Sequence, residues 1–324
     1  EDTRHGFYNP SSWARLKGGL DAGGKLIAWS ERIAGNTTSV HRDLAAKVDV
    51  VYAGGPGYGE DKPHQIPNVL VDSAAIRTAI PLGALRSVGD QAERFFHQGF
   101  MDELAVAAGK DAYQFQRAML DPAKVPANVP KREEVVAQTE RWRRVLDMAA
   151  EKAGWGKPLG VGRGRGIAIG SLPKGSAPSG YTAVSPQYTC MAVVAEVTLE
   201  SVGNLKLDRI VTASDPGTVL NPEGYATQVE GGAVFGLTSA LYGQITVRNG
   251  RVVEGNFDDY RMMRINEVPK VETHVTASGG FFGGIGELPV GLMAPSVGNA
   301  LYAAGGPRIR SLPFMNHDLS PRKT

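Results

Sequence analysis

The sequence predicts an α+β fold of two domains, and three observations carry that expectation. Strand-like runs cluster together instead of alternating regularly with helices, as βαβ units would require. Two segments repeat apolar residues at the three- and four-residue steps of an amphipathic helix. The length, 324 residues, exceeds what one hydrophobic core usually serves. No internal repeat is visible.

Taken in order, Lys25-Leu26-Ile27-Ala28-Trp29 and Val48-Asp49-Val50-Val51-Tyr52 read as strands bounded by glycine or polar turns. A helix follows Gly89, with Phe95, Phe96, Phe100, Met101, Leu104 and Ala108 on its apolar face and Gly109 suited to its C-terminal cap. Asp111 can cap a short helix that runs through Leu120. The prolines at 122, 126 and 130 mark a linker. A long amphipathic helix follows, burying Val135, Val136, Trp142, Val145, Leu146 and Ala149, and Gly154 closes it. The domain boundary is expected there, giving segments 1–154 and 155–324.

The second segment is richer in sheet. Met191 to Leu199 and Leu205 to Ala213 read as paired strands. Asn221-Pro222 supplies an N-cap followed by proline at the first helical position. The helix beyond it carries Gly231, Gly232, Ala233, Gly236 and Ser239, small residues that permit close backbone packing. Asn249-Gly250 between two β-prone runs signals a hairpin. Lys270 to Thr276 reads as a strand, and Pro295 to Ala304 as a last helix.

Composition narrows the function classes. The chain is 42% hydrophobic and 21% charged, with a formal net charge of +2, which makes no electrostatic case for nucleic acid or an acidic membrane surface. No apolar run reaches the roughly 18 residues that cross a bilayer. No signal peptide is visible, and the start at Glu1-Asp2-Thr3-Arg4 without Met leads us to expect a processed or truncated beginning. Cys190 is the only cysteine, which excludes an internal disulfide, a cysteine-built zinc site or an iron–sulfur cluster held by this chain alone. The six histidines lack paired metal-ligand spacing, and His97, beside Phe96 and Phe100, reads as structural. Glycine is the outlier at 41 residues, in short runs that imply tight turns or close backbone approach.

Three stretches could carry chemistry. In Gly283-Gly284-Ile285-Gly286-Glu287-Leu288-Pro289, glycines precede a single carboxylate between a strand and a helix. Such a loop lets the backbone approach a ligand and sets one acid at the bottom of a cleft, where a general base needs reach and a tuned pKa. The same residues also suit a turn with a solvated Glu. Asp215 to Pro222, leading into Gln228-Val229-Glu230-Gly231-Gly232, places Gln228 early in a helix; its amide both donates and accepts, which suits a heterocycle with mixed edges. An ordinary polar helix face is the alternative. Leu85-Arg86-Ser87-Val88-Gly89 precedes a helix, so backbone N–H groups and Arg86 could hold an anion, or Arg86 could be a surface residue. The run Gly160 to Gly166 lacks the strand before and helix after that a dinucleotide loop requires. Phe281-Phe282 fits core packing better than the wall of a substrate channel.

Together and in order, these motifs resemble the molybdenum hydroxylase family, and within it the large subunits of bacterial isoquinoline 1-oxidoreductases and aldehyde dehydrogenases. Arg86-Ser87-Val88-Gly89 resembles the arginine–glycine loop beside the cofactor. Asp215 to Asn221 with Gln228-Val229-Glu230-Gly231 resembles the strand–loop–helix whose glutamine contacts the pterin. Gly284-Ile285-Gly286-Glu287 resembles the segment bearing the active-site glutamate, and Ile309-Arg310-Ser311-Leu312-Pro313 the usual C-terminal ending. The resemblance covers nearly the whole chain.

It implies the C-terminal molybdopterin-binding domains of an aldehyde oxidase/xanthine dehydrogenase large subunit, with Glu287 catalytic and Arg86, Ser87, Val88, Gly89, Gln228 and Gly286 binding cofactor. The implied cofactor is molybdopterin with molybdenum, in its plain or cytosine dinucleotide form. The implied reaction is hydroxylation of an aldehyde or N-heterocycle with water as oxygen source. Electrons would leave through iron–sulfur clusters on a small partner subunit. Exported relatives favour a periplasmic over a cytoplasmic location. Two departures stand out. The family's Gly-Gly-Phe-Gly and Gly-Gln-Gly loops are absent, and in this branch would lie upstream of Arg4 to Tyr8, so an N-terminal half of the large subunit is an expected partner. Leu288 stands where relatives often have proline, with Pro289 one place late. A non-catalytic fragment or scaffold is the rival reading.

Overall fold

Alternation of side chains explains the central sheet. The computed structural model describes residues 2–36, 66–76, 78–129, 132–171, 189–280 and 282–322. Strand β5 (Cys190–Leu199) pairs antiparallel with β4 (Arg163–Ser171) on one side and β6 (Leu205–Asp215) on the other; β9 (Lys270–Val275) adds in parallel beyond β6. Successive residues of a strand face opposite ways. Cys190, Ala192 and Val194 join one core with Ile167 and Ile169, whereas Met191, Val193, Ala195 and Val197 join another with Ala168. Burial on both faces is why β5 is apolar from Cys190 to Ala195.

Helices cover both faces. On the first lies α3 (Arg132–Ala153), through Trp142, Val145, Leu146 and Ala149. On the second lie α4 (Pro222–Leu241), through Val229, Ala233 and Leu237, and α5 (Leu288–Ala303), through Leu288, Leu292, Met293 and Val297. Gly164 and Gly166 let α5 sit directly on β4: a Cβ at Gly166 would lie 2.2 Å from Ala300 N and from Ser296 O. The glycine–arginine run is thus strand, and its glycines serve helix-on-sheet contact.

The N-terminal sheet is smaller. In it β1 (Ser12–Leu20) pairs antiparallel with β2 (Leu26–Gly35), and β3 (Asn68–Ala75) pairs parallel with β2. The expected strand from Val48 to Tyr52 lies outside the described residues. Helix α1 (Asp90–Ala107) follows Gly89, and α2 (Ala112–Met119) is capped by Asp111, whose carboxylate accepts from Gln114 N at 2.9 Å. His97 on α1 is buried, with Nε2 2.9 Å from both oxygens of Glu31, and the Trp29 indole donates to the same carboxylate at 3.2 Å. The expected boundary falls in the turns after Gly154, and buried side chains pack across it, Trp29 and Met101 sharing a core with Ile167 and Ile169.

Two expectations near the C-terminus need correction. The last helix begins at Leu288, seven residues before Pro295, which lies inside it. Proline needs no N–H partner in a first turn, so Pro289 fits the start; Pro295 withholds a donor from the Gly291 carbonyl, a local cost outweighed by burial of nearly the whole helix. Phe282 is 62% exposed and so is not core; Phe281 lies outside the described residues. The hairpin around Asn249-Gly250 has strands of only two residues, β7 (Val247–Arg248) and β8 (Arg251–Val252), with both turn residues at positive φ, as a type I′ turn requires. No helix among the described residues is long and apolar enough to cross a membrane.

Candidate functional site

Three loops converge at the N-terminal ends of α1, α4 and α5. The first is the turn Arg86–Gly89, closed by Val88 N donating to Leu85 O (2.7 Å) and Asp90 N to Ser87 O (2.7 Å). Ser87 and Val88 take positive φ, 77° and 33°, in a region that side chains with a Cβ rarely adopt.

The second loop leaves β6 at Asp215, whose buried carboxylate organises it. Asp215 accepts from Arg141 Nε at 2.9 Å, Ser278 Oγ at 2.8 Å and Gly217 N at 3.0 Å, while its carbonyl accepts from Arg141 Nη2 at 2.8 Å. Burial opposes the charge on Asp215, but the hydrogen bonds from Arg141 and Ser278 outweigh it and hold the carboxyl below its ordinary value. Asn221 caps α4 by accepting from Gly224 N at 2.9 Å, and Pro222 occupies its first turn. One consequence is that Gln228 falls on the exposed side of α4.

The third loop, described over 278–280 and 282–286, lies against the second: Gly283 N donates to Pro216 O at 2.8 Å, and Gly217 bridges to Phe282. It delivers Glu287 to the N-cap of α5. The Glu287 carbonyl accepts from Val290 N at 3.0 Å, but its side chain makes no capping bond, so the carboxylate is left for other work.

Here the loops meet. Ser87 N donates to Glu287 Oε1 at 3.1 Å, across 200 positions of sequence. Arg86 Nε donates to the Gly286 carbonyl, and its Nη2 to Gln228 Oε1 at 2.9 Å and Gln228 O at 3.2 Å. The cluster thus brings together Arg86, Ser87, Gln228, Gly286 and Glu287, with Val88 and Gly89 in the same turn. The backbone N–H of Ser87 that precedes α1 is taken by the Glu287 side chain. No hydrogen bond among the described residues reaches Oε2.

The borders of the cluster are open. A Cβ added at Gly231 or Gly286 would meet nothing within 4 Å, whereas one at Gly232 would meet Pro289 Cβ at 2.9 Å and Arg86 Nη2 at 3.2 Å. Gly232 therefore serves packing of α4 on α5, and Gly231 and Gly286 face free space. Beneath them Ser87, 2% exposed, keeps an Oγ without a hydrogen-bond partner. A separate cavity of about 1130 Å³ lies behind the turn, lined by Leu85, Gln91, Val290 and Gly291 among others, but Arg86, Gln228 and Glu287 do not line it.

Comparison with known proteins gives the family. The sequence model of the molybdopterin cofactor-binding domain matches residues 105–269, just over half of the chain. The chain belongs to that family. The beta subunit of isoquinoline 1-oxidoreductase from Brevundimonas diminuta is 27% identical over 252 residues, 78% of this chain and 29% of that protein. A membrane-bound aldehyde dehydrogenase (pyrroloquinoline-quinone) from Gluconacetobacter polyoxogenes is 27% identical over 332 residues, 98% of this chain and 41% of that protein. The chain thus spans less than half the length of these relatives. The aldehyde oxidoreductase of Desulfovibrio desulfuricans has the same fold, with a TM-score of 0.71 at 16% identity over 97% of this chain and 49% of that one.

The residues present fit a molybdopterin. A flat, polar heterocycle needs open floor and hydrogen-bonding edges, and Gly231, Gly286 and the Gln228 amide offer them. Sequence reading missed Arg141 and Ser278, which anchor the loop behind the site. It also missed that the Ser87 N–H is the group that touches Glu287. Backbone donors leave no signature in residue type, and Arg141 looks like any polar position on an amphipathic helix.

Proposed function

We propose that this chain is the part of a molybdenum hydroxylase large subunit that supplies the catalytic base, acting on an aldehyde or N-heterocycle with water as the source of oxygen. The observation that carries this reading is the carboxylate of Glu287, one oxygen anchored 3.1 Å from Ser87 N and the other without a hydrogen bond among the described residues, beside an open, glycine-bordered surface. When bound, the molybdenum cofactor supplies two-electron redox chemistry and activates water. Glu287 Oε2 would accept a proton from water activated there, a role that asks only for a modest base. Gln228 and the backbone about Gly286 hold the pterin edge, in its plain or cytosine dinucleotide form.

Electrons leave through iron–sulfur clusters on a small partner subunit. Burial pushes the Cys190 thiol, the only one in the sequence, up to about 12, so it is inert as a ligand. The length by which relatives exceed this chain supplies the remaining cofactor loops, as an N-terminal half of the large subunit. A non-catalytic scaffold would gain nothing from an anchored carboxylate with one free oxygen.

Turnover of a panel of aldehydes and N-heterocycles in H₂¹⁸O tests the reaction class. The proposal expects one ¹⁸O atom in each product molecule, with electrons delivered to an artificial acceptor. Oxidation that leaves the label in the solvent contradicts it.

A further inference from the structure

Arginine carries N–H donors and no acceptor, so whichever end of an amide faces it must be the oxygen. Gln228 Oε1 lies 2.9 Å from Arg86 Nη2, which fixes the amide's orientation by chemistry. One lone pair of its oxygen is committed to Arg86, and both Nε2 donors remain for a ligand. The mixed edge that the residue type suggests is thereby biased towards donation, fitted to a ring nitrogen or carbonyl oxygen.

The same guanidinium holds the Gly286 carbonyl, one peptide before Glu287, while the next residue in its own turn, Ser87, holds Glu287 Oε1. Arg86 is itself held: Gln91 Nε2 donates to its carbonyl at 3.0 Å, and the Ser87–Val88 twist follows at once. A β-branched residue at positive φ persists only where its surroundings over-determine it. Among the described residues Arg86 makes no hydrogen bond or ion pair with the Glu287 carboxylate. It acts on the peptide that carries it.

Resting on the function proposed above, we propose that Arg86 is a positioning residue. It ties the Gly286–Glu287 peptide to the Gln228 amide, so that Glu287 presents Oε2 and Gln228 presents its Nε2 donors to the cofactor edge.

The test uses the natively purified protein and the variants Arg86→Met and Arg86→Lys, the latter keeping charge but losing the planar fork. Hydrogen exchange read by mass spectrometry needs no substrate: both variants should speed exchange of segments 86–90 and 284–291 about tenfold, the effect of losing the hydrogen bonds that close them. In turnover, both should lower kcat about 100-fold with KM little changed, as expected when a reacting group is displaced by about an ångström. Combined with Glu287→Gln, Arg86→Met should add almost nothing, because it acts through Glu287. Gln228→Glu should keep the exchange protection, since a carboxylate still accepts from Arg86, yet lose pterin, since the donors are gone.

Unchanged exchange in both Arg86 variants overturns the tie whatever the activity. Faster exchange with normal kcat, or a loss that multiplies with that of Glu287→Gln, overturns the positioning role. Full turnover by Glu287→Gln alone defeats instead the function on which that role rests, while the exchange data still judge the tie.

Discussion

Glu287→Gln should lower turnover by about 10²–10⁴-fold, the usual loss when a general base is removed, with melting temperature and pterin content unchanged. The substitution is nearly isosteric. The amide oxygen can still accept from Ser87 N, which now lies 3.1 Å from Oε1, so the loop and the start of α5 keep their geometry. What is lost is the second oxygen's ability to take a proton. Steady-state kinetics on purified variant, with bound pterin quantified in the same sample, separates loss of the base from loss of the cofactor. Activity close to wild type would remove Glu287 from the chemistry.

The largest effect on stability is expected at Asp215→Ala. Asp215 is fully buried and Arg141 is 5% exposed, and the two share one charge-assisted hydrogen bond through the carboxylate and another through the backbone. Removing one member of a buried pair typically costs about 3–5 kcal/mol, because the remaining charge stays desolvated without its partner. Ser278 and Gly217 lose their acceptor as well, so loop 278–286 should loosen with the core. The pH dependence has a definite sign. Because the folded carboxyl titrates below its unfolded value, near about 3.9, its contribution is present above that value and is lost as pH falls through the lower folded one. Denaturant melts of wild type should therefore show an acid limb below about pH 4 that shrinks in Asp215→Ala. Equal stabilities at neutral pH would contradict the assignment of Asp215 and Arg141 as the anchor.

How much of this was legible before the structure depends on where each signal resides. Strand β5 was readable because burial on both faces writes itself as an apolar run, β6 because it opens on alternating apolar and polar residues, and Asn221-Pro222 and Asn249-Gly250 because capping and turn geometry select residue types. Gln228 and Glu287 stood out because glycines surround them. The start of α5 did not, since two prolines, 289 and 295, each satisfy a first-turn pattern and only packing on β4 chooses between them. Gly164 and Gly166 lie in a run that suits either tight turns or close backbone approach, and their use is the second, to admit the backbone of α5. The deeper layer of the site was invisible for a simpler reason. Arg86 reaches Gly286 across 200 positions, Arg141 reaches Asp215 across 74, and neither pairing leaves a local pattern.

The most direct test of the whole account is the molybdenum and pterin content of the natively purified protein, measured with the identity of whatever polypeptides accompany it. The account predicts molybdopterin near one per chain, iron, and co-purifying polypeptide that supplies the rest of the large subunit and the iron–sulfur clusters. A folded, monodisperse protein that carries neither pterin nor molybdenum, even when co-expressed with such polypeptides, would contradict it.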